Sequence, residues 1–81
     1  MSKFEKELAR LRQNPKNVRY EELEKILLKI GFSKRQSGTS HVVFRKDDII
    51  LTVPVKKPFL KSIYVKKALE VIERIMEFDD R

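Results

Sequence analysis

The single histidine of this 81-residue chain, His41, ends the run Gly38-Thr39-Ser40-His41 at the start of an apolar segment. Imidazole is the common side chain that exchanges a proton near neutral pH without help from its surroundings. A base of this kind among phosphate-binding cations is what RNA cleavage by the RNA's own 2′-hydroxyl requires. A solitary histidine beside a strand is otherwise an ordinary surface or structural residue. The pattern makes His41 the candidate catalytic residue.

The same chemistry needs cations for the charge that develops on phosphate and an acid for the leaving oxygen. Ser40 is expected to orient the imidazole or contact phosphate, because no aspartate or second histidine completes a nucleophile triad. Gly38 is expected to provide a positive-φ turn that also lets an RNA backbone approach. No obvious general acid is present, so His41 in its other protonation state, or water, would serve. The candidate phosphate contacts are Lys34, Arg35, Arg45, Lys46, Lys56 and Lys57.

Composition limits the class of protein. Lys and Arg total 19 against 12 Asp and Glu, a formal charge of +7 that favours polyanionic partners, with nucleic acid first. The alternative is a solvated charged surface, since Lys and Glu also alternate along the helices. The absence of cysteine excludes disulfides and thiolate metal sites, and one histidine cannot form an imidazole cluster. We therefore expect one domain, no cofactor and no metal.

The amino terminus carries Glu5 and Glu7 where a signal sequence would need apolar residues, and the apolar runs are too short to span a membrane. These features predict a cytoplasmic protein with no membrane partner.

Helical spacing of apolar residues predicts three helices, at about residues 3–12, 20–30 and 62–78. Asn14-Pro15 is expected to end the first helix and to open a loop, and Gly31 to cap the second in a left-handed conformation. The third helix carries an apolar stripe that is expected to be core, formed by Val65, Leu69, Ile72 and Met76 and widened by Ala68 and Ile75.

Three short strands are predicted between the second and third helices. Residues 33–37 are a weak candidate for an edge strand, whereas 41–45 and 49–53 alternate or are β-branched and flank the turn Asp47-Asp48. The order α-α-β-β-β-α predicts an α+β fold, a three-stranded antiparallel sheet with helices packed on one face. Phe44 is expected to face the core, with His41 and Arg45 on the open face. Phe32 is also expected to be core, and Phe59 to be more open to base stacking.

Several short segments occur in an order that is specific when taken together: Leu23-Glu24-Lys25-Ile26-Leu27 with Gly31-Phe32, Ser40-His41, Thr52-Val53-Pro54 and Tyr64-Val65-Lys66-Lys67-Ala68-Leu69. In these residues the chain resembles the HicA toxins of bacterial and archaeal HicAB toxin-antitoxin systems. The resemblance covers about residues 18–76 of a single domain spanning 1–81, with 1–17 as an N-terminal helix and loop.

The resemblance implies a fold similar to the double-stranded-RNA-binding domain and a ribosome-independent endoribonuclease that cleaves mRNA. Gly38 and His41 would take the positions of the family's motif glycine and histidine. It also implies an antitoxin partner, HicB, that covers the site and blocks RNA; no DNA binding is expected for this chain alone.

The chain departs from the commonest family pattern in three places. Thr39 stands between Gly38 and the Ser-His pair, Val42 replaces a frequent second histidine, and Val55-Lys56-Lys57 follows the strand-ending proline where many members carry histidine.

Two other interpretations of the sequence stay open. One is a noncatalytic RNA-binding module in which His41 only hydrogen-bonds phosphate or a 2′-hydroxyl. The other is an interaction domain whose basic face receives an acidic protein.

Overall fold

The protein is described by a computed structural model that covers residues 3–36 and 40–79. Its elements follow the predicted order α-α-β-β-β-α, which confirms the α+β fold class. Ser37, Gly38 and Thr39, to which the turn and part of the motif were assigned, lie outside the described residues. The helices are α1 Lys3–Gln13, α2 Tyr20–Lys29 and α3 Ser62–Asp79, and the strands are β1 Ser33–Gln36, β2 His41–Lys46 and β3 Ile49–Pro54.

The segment that follows α1 differs from the prediction. Residues 14–17 were predicted as a loop, whereas Pro15–Asn17 form a turn of 3₁₀-helix. Proline is compatible with the first helical position because its fixed φ suits a helix and its missing N–H is not needed there. The predicted stop of α1 is confirmed, since that helix ends at Gln13.

Helix α2 begins and ends where local chemistry favours it. Glu21 and Glu22 lie in the first turn and Lys29 in the last, which complements the helix dipole. Gly31 adopts φ +105°, and the Phe32 N–H donates to the Leu27 carbonyl at 3.1 Å. The predicted glycine cap is therefore confirmed, because this conformation is costly for residues with a Cβ atom.

The strands form one antiparallel sheet in the order β1-β2-β3. A two-residue turn, Asp47-Asp48, joins β2 to β3, and Asp47 adopts φ +53°, a left-handed conformation that Asp tolerates. In this register Ser33 and Ile50 flank Arg45, and Pro54 lies opposite His41. Directly opposite residues share a face of the sheet, so the register determines which side chains lie together.

One face of the sheet packs on the helices and the other does not. Val42 and Phe44 are buried, whereas His41 and Arg45 are exposed, as predicted. Ile50, on the same face as Arg45, leaves 64% of its surface exposed. The predicted stripe of α3 is buried except for Met76, which is partly buried. The principal core residues are Leu8, Leu11, Val18, Leu23, Ile26, Leu27, Phe32, Val42, Phe44, Leu51, Val53, Leu60, Val65, Ala68 and Ile72.

Candidate active site

His41 is the first residue of β2 and is exposed to solvent. The carbonyl of the preceding residue, Ser40, accepts a hydrogen bond from the Val55 N–H at 2.6 Å. This bond continues the pairing of β2 with β3 beyond the last sheet pair, His41 and Pro54. It holds the Ser40-His41 pair beside the loop that leaves β3.

Two surface clefts meet at His41. The first cleft, of about 310 Å³, is lined by Ser40, His41, Pro54, Val55, Lys56, Lys61 and Tyr64. The second cleft, of about 380 Å³, follows strand β3 and is lined by His41, Ile50, Leu51, Thr52, Tyr64 and Lys67. His41 and Tyr64 line both clefts, so they lie where the two join. Volumes of this size are at the lower end of those that hold small ligands.

The charges around the imidazole have one sign. Lys56 and Lys61 line the first cleft and Lys67 the second. Among the described residues that line these clefts there is no aspartate or glutamate. A cleft lined by charges of one sign concentrates field lines, so this arrangement attracts anions such as the phosphates of a nucleic acid.

The structure divides the predicted phosphate contacts into groups. Ser40 and Lys56 share the first cleft with His41. Lys57, although adjacent in sequence, lines a separate depression with Arg19 and Glu21. The two lysines of the predicted Lys56-Lys57 pair therefore line different depressions of the surface.

Lys34 lies on the helix side of the sheet, because it pairs directly with Phe44. Its ammonium is 2.9 Å from the Glu24 carboxylate, which also accepts a hydrogen bond of 2.6 Å from the Tyr20 hydroxyl. These contacts, the Tyr20 bond first, hold the pKa of Glu24 below its ordinary value. Burial, and then the same hydrogen bond, raise the pKa of Tyr20. Lys34 thus joins β1 to α2.

Lys46 also belongs to the helix side of the sheet, two residues beyond Phe44 on β2. It is partly buried, and a Cβ atom built on Gly31 would lie only 3.0 Å from its Nζ. The ammonium is therefore beside the carboxyl end of α2, where a cation is favoured by the helix dipole. Its position gives Lys46 a structural contact away from His41.

Arg35 and Arg45 lie on the open face with His41. Arg35 pairs with Val43, and Arg45 is four residues along β2 from His41, a separation of roughly 13 Å at the usual rise of a strand. Both are exposed. They extend the cationic surface beyond the two clefts.

Four polar residues that line the clefts were not predicted from the sequence: Thr52, Lys61, Tyr64 and Lys67. Tyr64 and Lys67 are three residues apart, which places them on one side of α3 beside its apolar stripe, and Lys61 comes three residues before Tyr64, directly ahead of the helix. That spacing was the available signal. Which strand this side of α3 would face depends on tertiary packing and not on local sequence.

The described residues place limits on two other kinds of site. Within residues 3–36 and 40–79, no group of three or more His, Cys, Asp or Glu side chains is arranged to hold a metal ion. In the same ranges, no helix combines the length and apolar character needed to cross a bilayer.

Comparison with known families identifies the class of protein that has this fold and site. A family model described as the HicA toxin of bacterial toxin-antitoxin systems matches residues 20–73. The chain therefore belongs to the HicA toxin family, which confirms the resemblance seen in the sequence and implies an antitoxin partner. No curated protein matches the chain. No solved structure matches it. The matched residues include His41 and the described lining of both clefts, whereas α1 precedes them.

Proposed function

We propose that this protein is an mRNA endoribonuclease, the toxin of a toxin-antitoxin pair, and that His41 is its catalytic residue. The observation that carries the proposal is the exposed imidazole at the junction of two lysine-lined clefts. Membership of the HicA family supports the same activity. A basic molecule of net charge +7 is suited to a polyanionic substrate.

The reaction uses the RNA's own 2′-hydroxyl as nucleophile. His41 accepts the hydroxyl proton, the 2′-oxygen bonds to the adjacent phosphorus, and the bond from phosphorus to the 5′-oxygen breaks. The leaving oxygen takes a proton from the imidazolium or from water. The products are a 2′,3′-cyclic phosphate and a 5′-hydroxyl end.

The lysines of the clefts have the second role in this reaction. Lys56, Lys61 and Lys67 bind the phosphates on either side of the reacting one and stabilise the charge that develops during attack. Ser40 orients the imidazole or contacts phosphate. With base and cations supplied by side chains, the reaction needs no cofactor.

The partner of the toxin is a HicB-like antitoxin that covers the His41 clefts and thereby excludes RNA. Acidic side chains on the antitoxin would match the lysines that line the clefts. Binding of antitoxin and of RNA is therefore expected to be mutually exclusive.

The test is cleavage of a mixed single-stranded RNA in EDTA by the wild type and by His41→Ala. We expect the substitution to reduce the rate roughly 10²- to 10⁴-fold, the usual contribution of a general base. The matched control is Lys66→Ala, because Lys66 is an exposed residue of α3 that does not line either cleft. This variant should cleave normally. Circular dichroism verifies that each variant is folded.

A 2′-deoxy nucleotide at the mapped cleavage position should abolish cleavage, because the nucleophile is then missing. If the wild type and His41→Ala bind RNA equally and neither cleaves it, the nuclease proposal fails. The noncatalytic RNA-binding module would then be the better description.

A further inference from the structure

We propose that Tyr64 is an RNA-binding residue whose ring stacks on a base next to the phosphate at His41. The two clefts would then hold the nucleotides on the two sides of that phosphate. This inference rests on the proposed function, because it names how the substrate of that site is held.

The position of Tyr64 is the first support. It is the one α3 residue that lines both clefts among the described residues, and it shares that position with His41. Any nucleotide that occupies either cleft beside the imidazole must therefore pass close to Tyr64. Single-stranded RNA is commonly held by stacking its unpaired bases on aromatic side chains.

The second support is that Tyr64 is not used by the core. It is only partly buried, and it belongs neither to the core cluster nor to the described apolar residues packed against it. The next residue, Val65, is fully buried. Helix α3 therefore uses one side for packing in the core and presents Tyr64 on another side, outside the core cluster.

The third support is the placement of charge around the ring. The Tyr64 N–H donates to the Lys61 carbonyl at 3.0 Å, which fixes Lys61 one turn before it in the first cleft. Lys67 follows three residues later, a rise of about 4.5 Å along the helix, in the second cleft. The Tyr64 ring would bind a base, and the lysine on each side of it would bind a phosphate. This order matches a single RNA strand, in which phosphates alternate with nucleosides.

The test measures binding of a single-stranded RNA made resistant by a 2′-deoxy nucleotide at the mapped cleavage position. Tyr64→Leu removes the ring and keeps apolar bulk, and should weaken binding roughly 5- to 150-fold, the usual range for loss of one stacked base. Tyr64→Phe keeps the ring and should bind like the wild type. Ile63→Ala is the matched control, because this neighbouring apolar side chain of α3 is 56% exposed and is not among the cleft lining.

Abasic nucleotides then locate the stacked base. An abasic nucleotide on one side of the cleavage position should abolish the difference between wild type and Tyr64→Leu, and an abasic nucleotide on the other side should preserve it. The inference is overturned if Tyr64→Leu binds like the wild type, if Tyr64→Phe is equally weak, or if both abasic strands preserve the difference.

The two proposals fail in different ways. Cleavage that needs His41, together with full RNA binding by Tyr64→Leu, would overturn only the stacking role. A wild type that cleaves no RNA would overturn the nuclease proposal, and the Tyr64 series, measured on an intact mixed-sequence RNA, would still decide whether the ring contacts bases.

Discussion

Lys56 and Lys57 are adjacent in sequence, but only Lys56 belongs to the proposed site. Lys56 lines the first cleft with His41, and Lys57 lines a different depression with Arg19 and Glu21. Changing either lysine to alanine removes one positive charge from the same loop. Any difference between them therefore reports on position and not on net charge.

We predict that Lys56→Ala weakens RNA binding more than Lys57→Ala does. Loss of one phosphate contact should reduce the magnitude of the slope of log affinity against log salt by about 0.7, the value per contact for a single strand. Titration of a noncleavable RNA at several salt concentrations measures this slope. Equal slopes for the two variants would show that the first cleft does not bind phosphate.

Among single residues, the sequence predicted part of the candidate site. His41 was identified because histidine is chemically distinct. Alternation along β2 also placed it on the open face of the sheet, whereas Val42 and Phe44 point to the buried face. The side of the sheet taken by Lys34 was not predictable, since the polar strand β1 has no apolar alternation to fix its register. Tyr64 was not predicted as a site residue, because the apolar periodicity of α3 indicates only which of its residues face the core.

Helix α1 packs against α2 and α3 although it precedes the residues that match the family model. Leu8 and Leu11 are almost completely buried, and Arg10 and Arg12 form ion pairs with Glu22 and Glu73 respectively. The burial indicates that α1 is part of the same core and not an appendage.

We predict that Leu11→Ala lowers the free energy of unfolding by about 2–5 kcal/mol, the usual cost of truncating a buried leucine. Its neighbour Arg12 loses only an exposed ion pair when changed to alanine, and Arg12→Ala should cost less than about 1 kcal/mol. Urea unfolding of both variants measures the difference. Similar values for the two would mean that α1 does not contribute to the core.

The Tyr20-Glu24-Lys34 contacts predict an acid-dependent stability term. Because the pKa of Glu24 is lowered in the folded protein, its contribution is present above the ordinary carboxyl pKa and is lost as pH falls through the lower folded value. Glu24→Gln should therefore cost about 1 kcal/mol near neutral pH. The difference from wild type should shrink between about pH 5 and pH 3.

Unfolding curves at several pH values test this, with Glu70→Gln as the control. Glu70 pairs with Arg74 at 3.7 Å, and both side chains are largely exposed, so its substitution should have little effect. A Glu24→Gln effect that is constant with pH would contradict the assignment.

The fold was predicted from sequence more completely than the site. The helices show clear apolar periodicity, and the Asp47-Asp48 turn between β-rich runs indicates a hairpin. The 3₁₀ turn at Pro15–Asn17 was missed because three residues show no period. The position of α3 beside β2 and β3 brings together residues that are distant in sequence. Local sequence patterns therefore do not predict it.

For the whole molecule, the distribution of cations predicts how RNA affinity depends on salt. The clefts contribute Lys56, Lys61 and Lys67, and the open sheet face adds Arg35 and Arg45. Five phosphate contacts would give a slope of about −3.5 in log affinity against log salt, and three would give about −2.

We predict the steeper slope for wild type and the shallower one when Arg35 and Arg45 are both changed to Gln. Equilibrium titration between 50 and 200 mM salt, about the range in which such contacts weaken, measures both. An unchanged slope in the double variant would confine RNA to the clefts.

The position of β1 at the edge of the sheet affects how copies of the protein behave together. Its outer edge presents backbone groups that can pair with a strand of another molecule, and all four of its residues are exposed. Arg35 lies on that strand, and Lys34 is paired with Glu24, so two copies approaching edge to edge bring their Arg35 charges together. The Arg35 charge should therefore oppose edge-to-edge pairing of copies at low ionic strength, and the protein should be most prone to self-association in concentrated salt, where this repulsion is screened.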